Sequence, residues 1–131
     1  MILLDTHALV WWVADAARLS LRAKRAIRGA LREGHVAASA ISLFEIATAL
    51  RRRRLVLAVP PEQWLADVRL LPELRFEPLS AEIAQIAGSF DETVPGDPAD
   101  RIIAATAIAL DLKLVTADEK LRAAPRLQAV W

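Results

Sequence analysis

The apolar positions of this chain come in two rhythms. Short unbroken runs, Ile2–Leu4, 35–38, 75–79, "LKLVT" and "LQAVW", read as strands, with "LKLVT" the clearest. Between them lie longer segments whose apolar residues recur at helical spacing. Ala8–Val13 forms a first helix or helical turn. "SLRAKRAIRGALREG" follows, capped by Ser20 and closed at Gly34, with Leu21, Ala23, Ile27, Ala30 and Leu31 as its apolar stripe. Ser42 is placed to cap "LFEIATALRRRR", which puts Glu45 in the first turn of that helix. "PPEQWLADVRLL" restarts a helix after Pro60, and Ser80 caps "SAEIAQIAGSF". In "VPGDPADRIIAATA", Asp97 takes the N-cap position, Pro98 the first helical position and Asp100 the third. Strands alternating with helices predict an α/β fold: a central parallel sheet of four to five strands flanked by helices.

With 131 residues, 55% of them hydrophobic and 25% charged, the chain reads as a single domain, 1–131, able to bury a sizeable core. No run reaches the roughly 18 to 20 apolar residues of a membrane span. The opening apolar run, broken at once by Asp5 and lacking a basic flank, does not read as a signal peptide. The absence of cysteine removes disulfides, thiolate metal sites and Cys nucleophiles, and suits a reducing cytoplasm. A net charge of +1 neither favours nor opposes a nucleic-acid partner.

The acidic residues change the picture. Asp5 follows the first strand, Glu45 opens the helix after the second, Asp97 and Asp100 open the helix before "LKLVT", and Asp118 follows that strand. In an open parallel sheet all of these reach the carboxyl edge, where ligands bind. Each acid singly is explained by local capping. Together at one edge they would repel one another unless a hard divalent cation, Mg²⁺ or Mn²⁺, held them together. Such an ion activates water and stabilises phosphoryl charge, which points to hydrolysis of phosphodiesters.

The ordered motifs "LLDTHALVWW", "ISLFEIA", "DPADRIIAATAIA" and "LVTAD" resemble those of the PIN-domain ribonucleases, in particular the VapC toxins of toxin–antitoxin pairs. The resemblance implies a PIN fold, Mg²⁺ or Mn²⁺ dependence and endonucleolytic cleavage of RNA by a metal-activated water. It also implies a homodimer and a VapB-like antitoxin that masks the active site. Carried onto this chain, the matching acids are Asp5, Glu45, Asp100 and Asp118. Asp97, in the same turn as Asp100, ranks below them, as a further ligand or a residue behind the ligands.

Thr6 and Thr116 flank two of the acids and are placed to orient a ligand or a water, or simply to satisfy nearby backbone groups. His7 is read as a structural or rim residue. Arg101 is the best placed of the basic residues, for phosphate or for a site carboxylate. Arg22, Arg25, Arg28 and the run Arg51–Arg54 are further phosphate candidates, though a charge run is usually a solvated face. Trp11, Trp12, Trp64 and Trp131 read as packing residues, with Trp11 or Trp12 at an interface.

Competing readings are a catalytically silent PIN-like module that binds RNA or a partner, and an aspartate-based phosphoryl-transfer protein. A haloacid-dehalogenase-like phosphatase wants a second acid where this chain has His7. A receiver domain wants an acid pair before its first strand, where this chain has only Met1–Leu4.

Overall fold

In the computed structural model, which describes residues 1–131, two of the five strands are buried throughout and a third is buried except for Lys113. The elements run β1 (Ile2–Leu4), α1 (Thr6–Ala14), α2 (Leu21–Glu33), β2 (Val36–Ser39), α3 (Ala40–Arg51) and α4 (Pro61–Arg69). After them come β3 (Leu74–Glu77), α5 (Ala81–Ser89), α6 (Pro98–Ala109), β4 (Lys113–Val115), α7 (Glu119–Arg122) and β5 (Ala129–Val130). All strand pairs are parallel, in the order β3-β2-β1-β4-β5, as the apolar runs predict. Leu3 faces Ala37 on one side and Leu114 on the other.

The pleat divides these strands between two cores. Ile2, Leu4, Val36, Ala38 and Val115 pack with Leu9, Ala23, Ile27, Ile46, Trp64 and Val68 on one face. Leu3, Ala37 and Leu114 pack with Ile103, Ala104, Ala107 and Leu121 on the other. Because successive side chains alternate, a run such as Ile-Leu-Leu is apolar throughout only if both faces are covered. That is why the runs read as parallel strands. No helix is long and apolar enough to cross a membrane.

Helix α2 is bounded as its sequence predicts: Ser20 Oγ accepts from Ala23 N at 3.0 Å, and Gly34, at φ 140°, ends it. Its stripe is narrower than expected, since Leu21 lies at the exposed end of the helix while Ala23, Ile27 and Ala30 are buried. Helix α3 departs from expectation. Its cap is Ser39, not Ser42, and the helix starts three residues earlier. β2 runs directly into α3, so the extended residue Ser39, with its Oγ accepting from Ile41 N at 3.2 Å, makes the junction. Ser42 becomes a fully buried helical residue, and Glu45 moves into the second turn. The short helix α7 is unexpected, and Asp118 caps it through Lys120 N and Leu121 N.

Candidate active site

The order β3-β2-β1-β4-β5 reverses direction between β1 and β4, and a crevice opens beyond the carboxyl ends of those strands. A cleft of about 1000 Å³ lies there, lined by Asp5, Glu45, Asp97, Asp100 and Asp118 together with Thr6, His7, Trp11 and Phe44. All five acids thus share one cavity.

Asp5 leaves β1 as the N-cap of α1. It is buried at 6% exposure, with Oδ1 accepting from Ala8 N at 2.8 Å and Oδ2 from the Thr116 hydroxyl at 2.5 Å. That second bond spans the reversal point, because Thr116 follows β4. Thr116 Oγ1 also accepts from Asp118 N at 3.1 Å, so one fully buried hydroxyl positions both strand-end acids. Burial raises the Asp5 carboxyl above its ordinary range, while the bonds from Thr116 and Ala8 oppose the rise.

Glu45 is held differently. Thr6 Oγ1 donates to Glu45 Oε1 at 2.5 Å and lies 2.9 Å from Ser42 Oγ. Since Thr6 has one hydroxyl proton, Ser42 donates to Thr6, and Thr6 to Glu45. Ser42 and Glu45, three residues apart, share one face of α3. Burial raises Glu45 as well, offset by the Thr6 bond.

Asp97 caps α6, its Oδ1 accepting from Asp100 N at 3.1 Å. Ligand oxygens of Glu45, Asp97 and Asp100 all lie within 4.8 Å of one another. Asp97 therefore belongs to the tightest group of acids, although its sequence position ranks it below the other four. Asp100 has no hydrogen bond to ease its charge. Burial, followed by the carboxylates of Asp97, Glu45, Asp118 and Asp5, pushes it up to about 7.

No Lys, Arg or His nitrogen lies within 4.0 Å of these acids; the single ion pair at that distance joins the Met1 amine to Glu33. Three carboxylates brought together without a counter-charge form an all-oxygen donor set suited to a hard divalent cation. Glu45, Asp97 and Asp100 would hold it, with Asp5 and Asp118 beside them.

The basic residues separate. Arg101 turns away from the cleft. Its Nε donates to Ala87 O at 3.0 Å, its Nη1 to Asp91 O and Val94 O at 3.4 Å each, and its Nη2 to Phe90 O. Contrary to the expectation of a phosphate or site carboxylate as its partner, Arg101 is engaged by backbone carbonyls. These carbonyls belong to the end of α5 and the turn after it, where a cation suits the helix C-terminus. Arg22 and Arg25 line a groove with Met1 and Lys113 at the opposite end of the sheet. From the Arg51–Arg54 run, Arg52 and Arg54 line the acidic cleft, joined by Arg18. Ser42 and Arg18 were missed in the sequence. Ser42 was assigned to the cap, and Arg18 stands isolated among apolar residues.

Thr116→Val leaves the buried Asp5 Oδ2 and Asp118 N without their shared partner. It should cost about 1 to 3 kcal/mol of stability, while Thr116→Ser, which keeps the hydroxyl, recovers most of it. Thermal unfolding of the two variants checks this.

A family model for the PIN domain matches residues 2–127. Ribonuclease VapC22 of Mycobacterium tuberculosis is 40% identical over 132 residues, covering 99% of this chain and 98% of that protein. The crystal structure of VapBC2 from Rickettsia felis, bound to a DNA fragment from its promoter, shares the fold. Its TM-score is 0.71 at 22% identity, covering 98% of this chain and 97% of the other. FitAcB from Neisseria gonorrhoeae matches with TM-score 0.68 at 25% identity, over 98% of this chain and 96% of its own. The chain belongs to the PIN-domain family and, through its kinship with VapC22, to the VapC proteins within it.

Proposed function

We propose that this chain is an endoribonuclease dependent on Mg²⁺ or Mn²⁺, the toxin of a VapBC-type pair, with residues 1–131 acting as one nuclease domain. The observation that carries this reading is the uncompensated group of Glu45, Asp97 and Asp100, with Asp5 and Asp118 beside it, at the reversal point of the sheet. Kinship with a protein named as a ribonuclease supports RNA as the substrate. A bound divalent cation supplies stabilisation of phosphoryl charge and a means of activating water near neutral pH. Asp5, Glu45, Asp100 and Asp118 are the residues we assign to it, and Asp97 joins them as a ligand.

The chain's own residues prepare the site. Thr116 and the Ala8 amide fix Asp5 so that its carboxylate needs no reorganisation when charge develops nearby. The Ser42–Thr6 relay does the same for Glu45. The first turn of α6 delivers Asp100 at the positive end of the helix dipole, which offsets part of the burial and carboxylate repulsion that disfavour its ionised form. No side-chain nucleophile is required, and the cleft contains no Cys or Lys.

Toxin–antitoxin complexes among the structural relatives support a VapB-like antitoxin as partner, and a homodimer and a cytoplasmic location are what the family resemblance implies. Expression of the chain alone should arrest bacterial growth, with Asp5→Asn relieving the arrest and co-expression of a cognate antitoxin doing likewise. Undisturbed growth on expression of soluble wild-type chain would count against the toxin reading.

A further inference from the structure

Beside the acids, part of the cleft lining is built from flat side chains. Trp11 packs against the core at its back and meets Trp131 with ring centroids 5.6 Å apart. The His7 ring stands 5.6 Å from Trp11, tilted by 42°. The Arg18 guanidinium lies over Trp11, 4.9 Å from the ring centroid. His7, Trp11 and Arg18 all line the cleft, and His7 and Arg18 are exposed. Arg18 has no carboxylate within 4.0 Å, so its charge is held in place by an aromatic face and not by an ion pair. From α3, Phe44 lines the same cleft at 67% exposure, and Arg52 and Arg54 line it as well.

We infer that the wall formed by Arg18, Trp11 and His7 is a stacking subsite for an unpaired nucleobase of the substrate. The inference rests on the ribonuclease reading and goes beyond it by naming how substrate is held. A guanidinium held over a tryptophan face leaves its far side open to a base, and every base has a π-face to meet it. A duplex keeps its base faces stacked inside and presents phosphates, sugars and base edges to such a wall. Arg52 and Arg54, with Arg18, supply the positive charge that lets a polyanion approach five carboxylates. The planar groups of Arg18, Trp11 and His7 give base-dependent binding and the charges of Arg18, Arg52 and Arg54 give salt-dependent binding, two separable contributions.

The test uses Asp100→Asn protein in Mg²⁺, so that bound RNA stays intact, and compares a short fluorescein-labelled oligoadenylate with an abasic strand of equal length and charge. By fluorescence anisotropy the oligoadenylate should bind about tenfold more tightly than the abasic strand. Arg18→Lys, which keeps the charge and loses the plane, should bring that ratio close to unity while leaving the salt dependence of binding unchanged. A ratio near unity before the substitution, a ratio that Arg18→Lys leaves intact, or no binding of either strand overturns the proposal. Failure of the wild type to cut any RNA would instead defeat the ribonuclease reading, and the base-to-abasic ratio would still decide this one.

Discussion

Asp100→Asn should abolish RNA cleavage, by about 100-fold or more, while making the metal-free protein more stable at neutral and higher pH. Both effects have one cause. Asp100 is surrounded by Asp97, Glu45, Asp118 and Asp5 and is partly desolvated, so its ionised form is disfavoured until a cation arrives. Its carboxyl ionises near 3.8 in the unfolded chain and near 7 in the folded one. Between those values the folded chain binds more protons than the unfolded chain. Metal-free stability therefore falls as pH rises through that window and stays low above about 7. The full displacement corresponds to roughly 4 kcal/mol. Solvent screening at a half-buried position leaves about 1 to 2 kcal/mol for the variant to recover. Melting curves in chelator at about pH 5 and pH 8 separate the cases: the wild type should be less stable at the higher pH, and the variant nearly indifferent. A variant that loses activity and also loses stability would show that Asp100 serves the fold and not the site.

The second large effect is expected at the next residue, and in the opposite sense. Arg101→Ala should lower stability by about 2 to 3 kcal/mol while leaving cleavage at moderate temperature within about fivefold of wild type. Three guanidinium nitrogens serve the carbonyls of Ala87, Phe90, Asp91 and Val94, and the guanidinium also lies 5.6 Å from the Phe90 ring centroid. Removing it frees the end of α5 and the connection to α6 together. Arg101→Lys should rescue little, because an ammonium cannot reproduce the planar fork. Unchanged melting with a large loss of cleavage would return Arg101 to the phosphate-binding role that its sequence position suggests.

Adjacent residues Asp100 and Arg101 mark the boundary of what the sequence makes legible. Unbroken apolar runs such as Ile2–Leu4 report burial on both faces, so the parallel sheet was readable from them. Acids placed after strands report the carboxyl edge, so the shared cleft of Asp5, Glu45, Asp97, Asp100 and Asp118 was readable too. Direction around a helix was not. Arg101 follows Asp100 by about 100° of helical turn, enough to send one side chain to the cleft and the other to α5. Ser42 misled for a related reason. A serine three residues before a glutamate fits the start of a helix, and only the direct junction of β2 with α3 moves the cap to Ser39 and frees Ser42 to support Thr6. Asp97 was ranked low because its capping bond already explained it, yet a carboxylate that caps with Oδ1 keeps its other oxygen for a ligand.

The acid cluster should work through a divalent cation on RNA. The direct measurement is cleavage of total cellular RNA by the wild-type chain in Mg²⁺ or Mn²⁺, after excess chelator, and after the cation is restored. Cleavage should disappear with chelation, return with either cation and be absent throughout from Asp5→Asn and Asp100→Asn. Cleavage that persists in chelator, or in both variants, would contradict it.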